Sequence, residues 1–70
     1  MSLGPWTLLV GTGGRMERRN RSRMVMRVWW DKADTTWRWL VDVTMRHSIS
    51  GSTGTQQRAC EAADAAWEKR

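Results

Sequence analysis

Phenylalanine and tyrosine are absent from this chain, and cysteine, histidine and proline occur once each. With Cys60 alone there is no internal disulfide, and one cysteine with one histidine, His47, excludes a Cys/His zinc site. No Ser, His and Asp grouping stands out, and a single histidine in a small chain leaves little for a preorganised catalytic pocket. No run approaches the ~18 apolar residues of a membrane span. Trp6–Val10 is too short for a secretory signal core and lacks a basic lead. Gly11-Thr12-Gly13-Gly14 lacks the Gly-Lys-Ser/Thr ending of a phosphate-binding loop. These absences predict a cytoplasmic non-enzyme with no metal, no cofactor, no membrane association and no small-molecule substrate.

What remains is rich in arginine and tryptophan. The 70 residues carry 12 Lys and Arg against 7 Asp and Glu, a net charge of +5, and 6 tryptophans. This length allows one domain, 1–70. It buries only about 60% of its unfolded surface, so stability is marginal. A basic balance points to an anionic partner, nucleic acid first. The scarcity of Lys, Asn and Ile beside abundant Arg, Gly, Ala and Trp matches a GC-rich gene, as in a high-GC bacterium or its phage.

The clearest pattern is period two. Trp37, Trp39, Val41, Val43 and Met45 alternate with Arg38, Leu40, Asp42 and Thr44. Met24, Met26, Val28 and Trp30 alternate with Val25, Arg27, Trp29 and Asp31. Both segments, 24–31 and 36–45, read as strands. Turning on Lys32-Ala33-Asp34-Thr35 sets Asp31 against Thr36, Trp30 against Trp37, Val28 against Trp39, Met26 against Val41 and Met24 against Val43. Each of the last four pairs is apolar on both sides, and a slip of one residue breaks them all, which favours this register or one shifted by two. On the other face Trp29 meets Arg38, a geometry suited to a cation–π contact.

Around this hairpin, 1–4 is expected to be loose, and 5–10 is a possible strand with Trp6, Leu8 and Val10 on one face. Residues 11–23 read as a Gly/Arg-rich loop, because five arginines in nine residues repel one another. The plain reading is a solvated loop; the functional reading is a phosphate clamp. Residues 46–54 read as a Ser/Thr/Gly loop. A helix is expected over 55–69, with Thr55 as N-cap and Thr53 the alternative. Ala59, Cys60, Ala62, Ala63, Ala66 and Trp67 fall within an arc of roughly 160°, and Lys69 and Arg70 complement the C-terminal dipole. Cys60 reads as a small buried hydrophobe rather than a reactive thiol.

The fold class predicted is α+β: a small antiparallel sheet of two or three strands, in β-β-β-α order, packed on one C-terminal helix. The helix is expected on Trp30, Trp37, Trp39, Val28, Val41 and Val43. The element order of 24–70 resembles small three-stranded DNA readers, such as the arm-binding domains of tyrosine-type integrases. That resemblance implies strands laid in the major groove and a helix behind them, and transfers no residue roles.

Two functions follow. In the first, the chain binds nucleic acid, duplex DNA foremost, through Arg15, Arg18, Arg19, Arg21, Arg23, Arg27, Trp29, Arg38 and Arg46. In the second, it is a protein-interaction module, a homodimer or a small phage-type inhibitor of a host protein, docking through Val25, Trp29 and Leu40 on the sheet face that the helix leaves open.

Overall fold

The computed structural model describes residues 3–44 and 46–69. Five strands and one helix follow in order: β1 (Thr7–Leu8), β2 (Met16–Asn20), β3 (Arg23–Asp31), β4 (Thr36–Thr44), β5 (His47–Thr53) and α1 (Gln56–Lys69). The sheet is an antiparallel meander, β1-β2-β3-β4-β5, so every strand lies beside its sequence neighbours. α1 crosses one face and packs on β3, β4 and β5. The α+β class and the C-terminal helix are as expected. The strand count is five rather than two or three, which also exceeds the three-stranded sheet of the DNA readers.

The central hairpin has the expected register. Asp31 faces Thr36, Trp30 faces Trp37, Val28 faces Trp39 and Met26 faces Val41. Asp31 Oδ1 accepts from the amides of Ala33 (3.0 Å) and Asp34 (3.3 Å), which closes the loop. Thr35 completes it at φ 51°.

The pairing departs from expectation at the other end. Arg18 pairs with Met26 but Arg19 with Met24, so Val25 is an extra residue in β3. Asp42 pairs with Ser48 but Thr44 with His47, so Val43 is an extra residue in β4. A bulge moves a side chain to the other face and bends its strand. Val25, expected on the open face, is only 3% exposed and sits in the core with Met26, Val41 and Ala63. Val43 packs against the same cluster. The pair Met24–Val43 therefore does not form, and Met45 lies outside the described residues.

The segments read as loops are strands for a common reason: alternation holds where composition misleads. In β2 the charges divide between faces. Arg18 turns towards the helix, while Glu17 pairs with Arg27 of β3 and lies 3.5 Å from Arg19 Nη2. Dividing and pairing the charges removes the repulsion that argued for a loop. In β5 the serines Ser48, Ser50 and Ser52 are exposed, whereas Ile49, Gly51 and Thr53 are half-buried. A Cβ at Gly51 would lie 2.8 Å from Trp39 Cζ2, so the missing side chain is what lets the indole lie across β5. The possible first strand shrinks to two residues. Val10 is 94% exposed, and Gly11, Gly13 and Gly14 turn the chain at φ 80°, 72° and 95°. The N-terminus is less loose than expected: Leu3 packs on the core and Gly4 N–H donates to Arg19 O at 2.8 Å. Met1 and Ser2 lie outside the described residues.

The core comprises Val25, Met26, Val28, Val41, Ala59 and Ala63. Burying a valine or methionine fully contributes roughly 1.5–3 kcal/mol. Thr55 caps α1 as expected, its Oγ1 accepting from Arg58 N–H at 3.1 Å. Ala59 and Ala63 face the sheet, with Cys60, Ala62, Ala66 and Trp67 half-buried around them. Arg70 lies outside the described residues. Trp30 escapes the helix: it is 43% exposed and makes an edge-to-face contact with Trp37, centroids 5.5 Å apart. Trp37 itself is crossed by the β1–β2 loop, for a Cβ on Gly14 would stand 2.9 Å from its Cη2.

Gly51→Ala is expected to cost about 1–3 kcal/mol by urea unfolding, as overpacking against Trp39. Gly54→Ala, where a Cβ meets nothing within 4 Å, should stay within about 0.5 kcal/mol.

Candidate nucleic-acid interface

A meander places alternate turns at the same end of the sheet. The β2–β3 turn and the β4–β5 turn therefore lie together, and they bring Arg19, Arg21, Arg23 and Arg46 to one end. α1 starts at the opposite end, where Gln56 Nε2 donates to Gly14 O at 2.6 Å. Its last turn, with Lys69, arrives at the arginine end. Neither of the two turns carries an acid.

The β2–β3 connection has two residues, Arg21 and Ser22, between the paired Asn20 and Arg23. Arg21 holds φ 62°, a conformation that costs roughly 1–2 kcal/mol for a residue with a Cβ. Arg19 Nη1 donates to Ser22 O at 3.0 Å and braces the turn, yet its side chain stays 54% exposed. Arg21, Arg23 and Arg46 are exposed, and none has an acidic partner among the described residues. Beside this end an open hollow of about 460 Å³ is lined by Leu3, Gly4, Pro5, Thr7, Arg19 and Arg21.

The other expected contacts divide. Arg18 is engaged inside the fold. Its Nε donates to Gly4 O at 2.7 Å and its Nη1 to Asp64 Oδ1 at 2.6 Å. Trp6 Nε1 reaches the second oxygen of Asp64 at 3.4 Å. Arg38 faces Trp29 across the ladder, but its guanidinium is held by Asp31 and Asp34 rather than by the indole. Arg15 sits at the far end of β2, about 13 Å from Arg19 at strand rise. There Thr12 Oγ1 accepts its N–H at 3.2 Å. Arg27 lies half-buried on the open face between Glu17 and Leu40.

The open face is mixed in charge. Arg19, Arg27 and the neutralised Arg38 stand with Glu17, Asp31 and Asp42. Trp29 and Leu40 are half-buried at its centre. Val25 is not part of it. Asp64, Asp31 and Asp34 decide which arginines stay free. Asp64 falls beside the apolar stripe on the helical wheel, which was the available signal.

The Cys60 thiol is pushed up by burial and by Asp64 and Glu61, and it lies 3.8 Å from Met16 Sδ. Both effects disfavour the thiolate. Among the described residues no cluster of three metal-ligating side chains occurs, and no helix is long and apolar enough to cross a membrane. No family model, no curated protein and no solved structure matches the chain.

The hydrogen bond from Arg38, with the amides of Asp34 and Ala33, holds the Asp31 carboxyl below its ordinary 3.8. The folded chain keeps this carboxylate ionised where an unfolded aspartate already takes up a proton. Its contribution is thus complete above about pH 4 and lost as pH falls through the depressed folded value. Asp31→Asn should flatten the fall in stability between pH 5 and pH 2, read as the pH dependence of the urea midpoint. An unchanged slope would remove Asp31 from the account.

Proposed function

We propose that this chain is a non-catalytic nucleic-acid-binding module, with duplex DNA as the favoured ligand, and that it grips the phosphate backbone with the arginine end of its sheet. One observation carries the reading: Arg21, Arg23 and Arg46 are exposed, have no acidic partner among the described residues, and are gathered by topology at two turns that carry no acid. Arginine's planar fork suits phosphate oxygens. Arg19 and Arg27 extend the same surface onto the open face. Arg18 and Arg38, held by acids, serve the fold.

This assignment separates backbone binding from base reading. Loop arginines neutralise phosphates and release counterions, which gives affinity without sequence preference. Trp29, beside Arg27, is the side chain able to stack on an exposed base. The acids Glu17, Asp31 and Asp42 disfavour laying the whole open face against a duplex. The turns therefore lead the contact.

A second reading is supported by Trp29 and Leu40, an apolar pair at the centre of a face that α1 does not cover. Trp and Arg are favoured hot-spot residues, and the pair suits a host-protein partner. In that case Trp29→Ala abolishes capture of the partner and Arg23→Ala does not.

Fluorescence anisotropy of a labelled random-sequence duplex, titrated at ~50 and ~200 mM salt, tests the first reading. Four phosphate contacts give a log–log slope on the order of −4. Arg21→Ala, Arg23→Ala and Arg46→Ala should each reduce the slope by about 1, and Arg38→Ala should leave it unchanged. Arg21→Gly sharpens the test, since relief of the positive φ raises stability by about 1 kcal/mol while the lost charge weakens binding. Absence of binding at low salt, or binding indifferent to salt, rejects the proposal.

A further inference from the structure

The two edges of the sheet are treated differently. At one edge β1 is two residues long, with Pro5 just before it and the turns at Gly11, Gly13 and Gly14 just after. That edge is blunted in the usual way. At the other edge β5 runs seven residues, about 23 Å at strand rise, and among the described residues one row of its backbone N–H and C=O groups has no strand beside it. It contains no proline, no lysine and no acid. The bulge that curls this part of the sheet is in β4, not in β5. Such an edge is a template for another strand.

The residues of β5 fit one occupant, a second copy of the same strand. In a chain of net charge +5, two copies repel over most of their surface. β5 is the one strand longer than two residues with no Asp, Glu, Lys or Arg. Its order, His47-Ser48-Ile49-Ser50-Gly51-Ser52-Thr53, is self-complementary about Ser50. Antiparallel pairing on that centre sets Ser50 against its own copy, Ser48 against Ser52, and Ile49 against Gly51. The exposed serines form a continuous row of hydroxyls on the open face. The bulkiest side chain of the strand falls opposite the position that has none, where Trp39 already lies across the backbone.

We propose that β5 is a self-association edge, which pairs antiparallel with β5 of a second copy across a two-fold axis at Ser50 and joins the two five-stranded sheets into one. The contact is isologous, so each residue i that meets j is matched by a j that meets i. It uses no residue assigned above to phosphate and stands or falls separately from nucleic-acid binding. It also differs from docking through Trp29 and Leu40, since it uses the sheet edge and leaves that face open.

The axis residue allows a specific test. Ser50→Lys and Ser50→Asp each place like charges directly opposite one another, at an exposed position where a single copy has room for them. Sedimentation equilibrium from micromolar to millimolar protein should find the native chain dimeric and each variant monomeric. An equimolar mixture of the two variants should regain the dimer mass, because lysine then faces aspartate. A native chain that stays monomeric at millimolar concentration overturns the proposal. So does a variant that remains dimeric, or a mixture that remains monomeric. Hydrogen exchange of the native protein gives an independent reading should either variant fail to fold. The β5 amides that point away from β4 should be protected in concentrated samples and lose that protection on dilution, and equal exchange of these amides at both concentrations rejects the edge.

Discussion

The fold depends on four residues at the seam between the central hairpin and α1: Val41 and Ala63, which pack in one cluster, and Val28 and Ala59. All four are fully buried. Branched side chains from two strands project from a pleated surface, and alanines leave the helix axis free to come close. Larger residues at 59 or 63 would lift the helix and uncover the valines. The hairpin register matters for the same reason, since it brings Val28 and Val41 to one face. Trp39, Val43 and Trp67 then close the margins, and the bulge in β3 swings Val25 towards the helix.

The second tier of organisation is ionic. Asp64 of α1 holds Arg18, and Arg18 in turn holds Gly4 O. One carboxylate thus fastens the helix to β2 and β2 to the N-terminal segment. At the far end Asp31 and Asp34 enclose Arg38 and stiffen the β3–β4 loop. These pairs sort the arginines. Arg18 and Arg38, held by these carboxylates, become part of the scaffold, and those on the two turns at the other end remain available. The functional proposal rests on that sorting more than on the number of arginines.

Much of the hairpin was legible in the sequence because its alternation is apolar on one side, and apolar alternation fixes register. The helix was legible for a similar reason, with a cap, a stripe and a polar back. Val25 was placed on the wrong face because parity assumes one residue opposite one residue, and a bulge leaves no mark in a single sequence. β2 was missed because charge density in Arg15–Arg23 was weighed as a sum. Its neighbours Glu17, Ser22 and Asp64 come into range only after folding. β5 was missed because Ser and Gly score poorly as strand formers when alone. Gly51 is explained by the indole of Trp39, a contact between strands that local propensity does not contain. For the candidate site, the residue types were legible but their grouping was not. Which turns share an end follows from topology.

A meander also sets an order of assembly. Neighbouring strands close over loops of two to seven residues, and such closures are fast and lose little chain entropy. The links that complete the molecule are of another kind: Trp6 to Asp64 spans 58 positions and Arg18 to Asp64 spans 46. During synthesis the sheet can form before α1 has left the ribosome. Until the helix arrives, Met26, Val28, Trp39 and Val41 stand uncovered on one side of a sheet whose β5 edge is also unpaired. The fourteen-residue helix that follows the sheet therefore acts as the cover that ends this exposure, and the interval before it emerges is a period of raised risk of misassociation.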